Sequence, residues 1–513
     1  MTTTEASSSR RVAPPRPLHR DAQDLGLQEI LDLQRAAVLR DGIPSAAVRQ
    51  DRIARLQQLL VDNVDELAEA LRADFGSRAF DLSLSTDLVV TAKSLSHDRS
   101  HVAEWMRPRR TGNPLTRPVF RGEVHPVPKG VVGVLGPWNF PLNLVVLPAG
   151  AAFAAGNRVM IRPSEITGRT TAAFARLAGD YFDVEELAVI TEVHGDGADF
   201  AGLRFDHLFF TGSPQVGALV AEAAGRNLVP TTLELGGKNP VVVDRSADIE
   251  TAARRVAAAR MVNGGQVCLC PDYVYVPRHQ AERFTETVLD EWRSRYPSIT
   301  HNDEFTSLID DRNYNRVVAL IEDAVAQGAI GRSHVPETEG LPDRASRKVP
   351  PTLLTGVTPS MRVAQEEVFG PVLTVYAYDE LDEPIDHINT EDSPLTLYWF
   401  GRRNKTFASL VARTRSGSVN ANDFAANLLS PDLPFGGVGR SGTGYYHGRY
   451  GFDTFSHLRA IAFSRLPFSL GGLLNPPYTS SKKRINSAQL RQLRRSLGRL
   501  RSVSYGGRGM TRP

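Results

Sequence analysis

The sequence predicts an α/β fold built on parallel sheets, and three observations lead there. The runs Val131–Leu135, Arg158–Ile161 and His207–Phe210 are short and largely β-branched or aromatic. Strands that are apolar along their whole length suit a parallel sheet covered on both faces. Each run leads into a turn and a helix-length segment, the alternation that strand–helix–strand units require. The length, 513 residues, exceeds what one simple core sustains and calls for two or three domains.

In chain order, residues 1–24 are rich in Ser, Thr, Pro and Arg and lack an apolar segment. They read as a disordered tail and not as a secretory signal. Ile53, Leu56, Leu60, Val64, Leu67 and Leu71 recur at steps of three and four, one face of an amphipathic helix. A Pro- and Arg-containing connector spans Pro108–Arg121. The run Val241–Val243 continues the first strand series ahead of an Ala/Arg-rich helix over Asp248–Met261. A second α/β set runs from about Tyr273 to Asn420, with strands near Tyr273–Val276 and Val372–Tyr376. Near the C-terminus Leu490, Leu493, Leu497 and Leu500 form one helical stripe among arginines. The favoured reading there is a solvated, partly disordered basic extension; the sharper one is a helix lying on anionic lipid or a partner.

Apolar residues make up 41% of the chain and charged residues 23%, an ordinary globular balance. From Ser481 to Pro513 there are ten basic residues and no acidic ones, so the rest of the chain must carry −7 to leave the total at +3. The basic excess belongs to a tail, which argues against a nucleic-acid-binding fold. Only two cysteines occur, Cys268 and Cys270, which suits a reducing cytoplasm. No apolar run is long enough to span a membrane, and no pattern points to a metal site.

Four segments carry candidate chemistry. Cys268 follows Asn263-Gly264-Gly265-Gln266-Val267, where two glycines let backbone approach closely and open the sulfur to a substrate carbonyl; an inert core thiol is the plain alternative. Glu234, in Leu233-Glu234-Leu235-Gly236-Gly237-Lys238, suits a general base if apolar surroundings raise its pKa. The plain alternative is a surface strand residue. Gly136-Pro137-Trp138-Asn139-Phe140-Pro141 follows a strand, and an amide at that edge of an open sheet can stabilise an oxyanion or merely cap a turn. In Phe209-Phe210-Thr211-Gly212-Ser213-Pro214-Gln215-Val216-Gly217 a strand enters a glycine turn and a helix whose N-terminus offers N–H groups to phosphate. Arg162-Pro163-Ser164-Glu165 adds a cation and a carboxylate suited to ribose hydroxyls.

Taken in order, Pro-Trp-Asn, Pro-Ser-Glu, Gly-Ser-x-x-x-Gly, Glu-Leu-Gly-Gly-Lys, Gly-Gln-x-Cys and Glu366-Glu367-Val368-Phe369-Gly370-Pro371 resemble the aldehyde dehydrogenase superfamily over Gln50 to His457. Asn422-Asp423-Phe424, Leu433-Pro434-Phe435-Gly436-Gly437-Val438-Gly439, Tyr446-His447-Gly448 and Phe452–His457 look like its class 3 branch, as does Pro271-Asp272-Tyr273. Within that branch the chain is similar to bacterial coniferyl-aldehyde dehydrogenases.

The resemblance implies an α/β fold of the aldehyde dehydrogenase type: a Rossmann-type cofactor domain, an α/β catalytic domain and an oligomerisation ribbon. The expected division is a tail at 1–24, an NAD(P)-binding domain at 25–235 with 108–125 contributing to the ribbon, and a catalytic domain at 236–435. A return segment with the oligomerisation strand follows at 436–477, then a basic extension at 478–513. By the same resemblance Cys268 attacks a small-molecule aldehyde and forms a thiohemiacetal, and Asn139 with the Cys268 N–H holds the oxyanion. Hydride leaves to the nicotinamide and Glu234 activates water against the thioester. Nearby amides, the cofactor's ring or Glu234 are expected to help form the thiolate. Ser213, Gly212 and Gly217 would meet the pyrophosphate, Glu165 with Arg162 and Ser164 the adenosine ribose, Glu367 the nicotinamide ribose, and Trp138 and Phe369 the ring. The family usually has lysine where Arg162 stands, which bears on NAD versus NADP; NAD is expected, with NADP the alternative. A homodimer is implied, without nucleic acid. Aromatic coniferyl-type and medium or long aliphatic aldehydes both fit. A CoA-acylating enzyme and a non-catalytic protein on the same scaffold are the rival readings; Glu234 argues against the first and the full residue set against the second.

Overall fold

The computed structural model describes residues 22–111, 120–466 and 469–504. They divide into two compact units, one of residues up to 107 with 126–458, the other of residues 108–125 with those from 459 onward.

The first unit holds two sheets. The six-stranded one runs in the order Gly442–Thr443, Thr231–Leu235, His207–Gly212, Val131–Leu135, Arg158–Arg162, Leu187–Val189. All its pairs are parallel except that of the short Gly442–Thr443. Val131–Leu135 and Arg158–Arg162 are buried at every residue, which is why the first, and Val159–Ile161 within the second, read as apolar runs. The seven-stranded sheet runs Ile330–Ser333, Thr352–Thr355, Val372–Tyr378, Pro271–Pro277, Asn239–Val243, Thr396–Phe400, Ser418–Ala421. Asn239–Val243 therefore belongs to the second sheet and does not continue the first. An apolar run looks the same whichever sheet takes it.

The expected single helix over Ile53–Leu71 is two, Ala46–Asp62 and Val64–Phe75. Asn63 leaves the helical region between them, at φ −121° and ψ 30°, and its side chain donates to the Leu59 carbonyl at 2.8 Å. The apolar face nevertheless runs on: Ile53, Leu56, Leu60, Leu67 and Leu71 are fully buried, and Val64 packs against the same core. Asp248 caps the helix Ile249–Met261, accepting from the Thr251 N–H at 2.7 Å.

Arg109–Thr111, Phe120–Pro128 and Ser456–Ser464 form a three-stranded sheet whose last strand is almost wholly exposed. Of the extension expected to be solvated and partly disordered, Ser480–Ser504 is one continuous helix of 25 residues, and 505–513 lie outside the described residues. Leu and Arg are strong helix formers and no proline interrupts them. At the other end the expected tail lies outside the described residues up to residue 21, and Ala22–Asp24 make a 3₁₀ turn.

Candidate active site

The loop bearing Cys268 leaves the helix Ile249–Met261 through three residues of positive φ: Asn263 at 52°, Gly264 at 63° and Gly265 at 80°. A Cβ on Gly265 would lie 2.2 Å from the Gly370 carbonyl oxygen, and one on Gly264 2.9 Å from that of Thr306. The glycines are thus required for loop backbone to meet loop backbone, more than to open the sulfur. Gln266 locks the turn. Its amide donates to the carbonyls of Asn263 at 2.9 Å and Ser307 at 3.1 Å and accepts the Ile309 N–H at 3.0 Å. Asn239 donates to the carbonyls of Cys268 and Cys270, and the Tyr398 hydroxyl donates to that of Leu269 at 2.7 Å. Cys268 is half-buried and Cys270 buried, both as free thiols. The Cys270 thiol donates to the Ala259 carbonyl at 3.4 Å, the behaviour of a small core residue.

Asn139 is 3% exposed and its side-chain amide donates to the Gln266 carbonyl at 3.1 Å. Its own carbonyl accepts from Arg78 at 3.0 Å and Asn263 at 3.1 Å. Arg78 is paired with Asp87 at 2.6 Å with no exposure of either side chain. The second Asp87 oxygen accepts the N–H groups of Leu142 and Asn143, both at 3.2 Å. A buried ion pair therefore braces the Pro-Trp-Asn loop at Asn139 and at the start of the helix that follows it. Trp138 meets Phe369 edge to face at 5.3 Å between ring centroids.

Glu234 is 3% exposed, and neither carboxylate oxygen has a hydrogen-bond partner. Burial holds its pKa well above the usual carboxylate range. The Gly437 backbone N–H acts in the other direction without closing a hydrogen bond. Burial likewise pushes the Cys268 thiol up, and Glu367, Glu234 and Cys270 add to it by charge. As an anion Glu234 thus works against a thiolate beside it, while its own raised pKa suits it to accept a proton. Glu367 is pushed up to about 8 by burial, then by Asp272, against the Gly237 N–H, Lys238 and Arg260. A Cβ on Gly236 would fall 2.2 Å from a Glu367 oxygen.

Residues outside the expected set hold the Glu367 segment. Lys238 pairs with Asp272 and donates to the carbonyls of Val363 at 2.9 Å and Glu366 at 3.0 Å. Asp272 accepts the Val368 N–H at 2.9 Å, and Arg316 donates to the carbonyls of Glu367 at 3.0 Å and Val368 at 2.7 Å. The Tyr446 hydroxyl, raised by burial, lies in the field of both Glu234 and Cys268. Lys238 and Asp272 stand inside quoted motifs, which was a usable signal; Arg316 has none.

The remaining expected residues lie where the strands of the six-stranded sheet end. Ser213 caps the helix Pro214–Arg226, accepting the Val216 N–H at 3.3 Å. A Cβ on Gly217 would reach 2.6 Å from Leu235, and one on Gly212 2.4 Å from the Phe210 ring. Ser164 caps the turn Glu165–Thr167 through the Ile166 N–H at 3.3 Å. Arg162 donates to the Thr191 carbonyl at 3.0 Å, leaving its Nε buried without a partner, as is Thr211 Oγ1. Arg162 and Glu165 line a cavity of about 850 Å³ together with Arg176 and Glu192. Unused buried donors, a capped helix N-terminus and an exposed carboxylate fit the phosphates and ribose hydroxyls of a dinucleotide.

Residues 43–461 match the aldehyde dehydrogenase family. The chain is 41% identical to a probable coniferyl aldehyde dehydrogenase of Caulobacter vibrioides, over 93% of this chain and 99% of that protein. It is 35% identical to a dimeric, NADP-preferring aldehyde dehydrogenase of Rattus norvegicus, over 82% and 91% of the two chains. Among solved structures, substrate-bound Staphylococcus aureus AldH superposes with a TM-score of 0.83 at 31% identity, covering 90% of this chain and 99% of that one. Pseudomonas syringae AldA, an indole-3-acetaldehyde dehydrogenase in complex with NAD+, gives 0.78 at 27% identity, covering 86% and 89%.

Proposed function

The chain belongs to the aldehyde dehydrogenase family and uses NAD(P); on that premise we propose that it oxidises coniferyl-type aromatic aldehydes to their acids through a covalent bond to Cys268. The observation that carries this reading is the shared electrostatic environment of Cys268 and Glu234, with Asn139 bonded into the same loop.

The Cys268 thiolate adds to the aldehyde carbon, and the carbonyl π electrons move onto oxygen. The Asn139 amide and the Cys268 N–H hold that oxygen, donors worth about 3 kcal/mol each. Arg162, Glu165, Ser213 and Glu367 would hold NAD(P)+, which when bound would supply the acceptor for the hydride that this carbon gives up. Cys268 then carries a thioester. Glu234, kept basic by burial without partners, takes a proton from water as the water oxygen bonds to the acyl carbon. The carbon–sulfur bond breaks, the acid departs and the thiolate is restored.

The substrate class rests on the likeness to the Caulobacter vibrioides protein. NAD is the proposed preferred cofactor, because Glu165 would repel a 2′-phosphate, and Arg162 gives NADP partial access. A division into a cofactor domain at 25–235 and a catalytic domain at 236–435 follows the two sheets. The exposed strand Ser456–Ser464 supports a homodimer assembled through the three-stranded ribbon.

A panel of aromatic and aliphatic aldehydes, scored by kcat/KM with NAD and NADP in parallel, tests the substrate. Coniferaldehyde with NAD should rank first, and preference for a long aliphatic aldehyde would overturn the aromatic assignment. Activity surviving in Cys268→Ala would overturn the covalent route.

A further inference from the structure

The helix Ser480–Ser504 carries Lys482, Lys483, Arg484, Arg491, Arg494, Arg495, Arg499 and Arg501 and no acidic residue. Leu490, Leu493 and Leu497 follow one another at steps of three and four, so they share one stripe. They are 48%, 60% and 59% exposed. Arg491, Arg494 and Arg495 project from the side of the helix next to that stripe, with Lys483 and Arg484 one turn or more earlier. No helix among the described residues is long and apolar enough to cross a membrane. At 1.5 Å per residue the helix is about 38 Å long, with one apolar edge and one cationic face along it.

We propose that this helix docks the enzyme on an anionic lipid surface, lying in the plane of the headgroups. Such a surface answers both features together. The leucines reach below the headgroups, and the arginines and lysines stay level with the lipid phosphates. A nucleic acid would pair with the cations and leave the leucines in water. A second copy of the helix would bury the leucines and bring eight like charges against eight. The cationic face needs no acidic residue of its own, which is why the segment carries none while the rest of the chain carries a net negative charge.

The test is co-sedimentation of the full-length chain with vesicles of phosphatidylcholine alone and vesicles containing roughly a third phosphatidylglycerol. Binding is expected to the second and not the first, and to weaken as salt rises. The triple variant Leu490→Ser, Leu493→Ser, Leu497→Ser should lose about tenfold or more in partitioning with its charge unchanged. Its aldehyde oxidation in solution should match the parent, which reports an intact fold. Removal of residues 480–513 should give the same loss. The proposal is overturned if the full chain ignores anionic vesicles, or if the leucine variant binds them as well as the parent does, as a mere polycation would. It is also overturned if the leucine variant instead dissociates an oligomer.

Discussion

The side-chain amide of Asn239 donates to the backbone carbonyl of Cys268 at 2.7 Å. The same amide reaches the Cys270 carbonyl at 3.1 Å, and its oxygen accepts the Thr396 N–H at 3.0 Å. One side chain at the start of a strand thus ties the thiol-bearing loop to the seven-stranded sheet. Asn239→Leu removes all three bonds and strands buried polar groups, each worth about 1–3 kcal/mol. Denaturant unfolding should show a loss of at least ~3 kcal/mol. Initial rates should show kcat reduced with KM little changed, because the binding surface stays while the sulfur loses its position.

For Glu234→Gln the expectation is a split between the two halves of turnover. Rapid mixing should reveal a burst of reduced cofactor close to one per site. Steady-state turnover should fall by about 10²–10⁴, the usual contribution of a positioned base. Normal steady-state turnover would remove Glu234 from the deacylation step.

The Cys268 thiol titrates above its ordinary 9.0, through burial first and the Glu367 and Glu234 charges next. Alkylation by iodoacetamide, followed against pH in a Cys270→Ser background, should therefore have its midpoint on the alkaline side of 9.0. Glu367→Gln removes one opposing charge and should move that midpoint to lower pH. An unchanged midpoint would mean that the carboxylate does not act on the sulfur.

Glu367 also links stability to pH. Its folded pKa of about 8 stands above the ordinary 4.5. Below 4.5 both states hold the proton and nothing is lost. Between 4.5 and 8 the unfolded chain releases it while the folded chain cannot, so stability drains away as pH rises toward 8. The Tm advantage of Glu367→Gln over the parent, without cofactor, should therefore grow from pH 5 to pH 8. A difference independent of pH would contradict the assigned burial.

Asp87→Ala leaves the Arg78 guanidinium buried and unpaired beneath the Asn139 loop. Breaking one side of such a pair costs about 3–5 kcal/mol, readable by denaturant unfolding. Arg78→Met with Asp87→Leu together should recover part of that loss, because no lone charge remains.

Several elements were readable in advance for a definite reason. Val131–Leu135 is found where it was expected, because a strand covered on both faces favours apolar residues. The break at Asn63 was not readable, since the apolar period runs across it unaltered. Nor did the apolar pattern tell which sheet takes Asn239–Val243, although the family resemblance had put it in the segment 236–435. Motif order was enough to single out Cys268, Glu234 and Asn139. It did not single out Arg78, Asp87, Asn239 or Arg316, which act mainly through hydrogen bonds to backbone far away along the chain.

The order of motifs along the chain, through the family resemblance it carries, pointed to the kind of reaction, while a thiol, a carboxylate and an amide taken singly each kept a plain structural reading open. The tertiary structure alone decided the electrical setting of those groups. Glu234 and Glu367 lie 34 and 99 residues from Cys268 in the chain, yet both bear on its proton. Charge interactions depend on distance through space and on exclusion of water, and neither quantity is written in the order of residues.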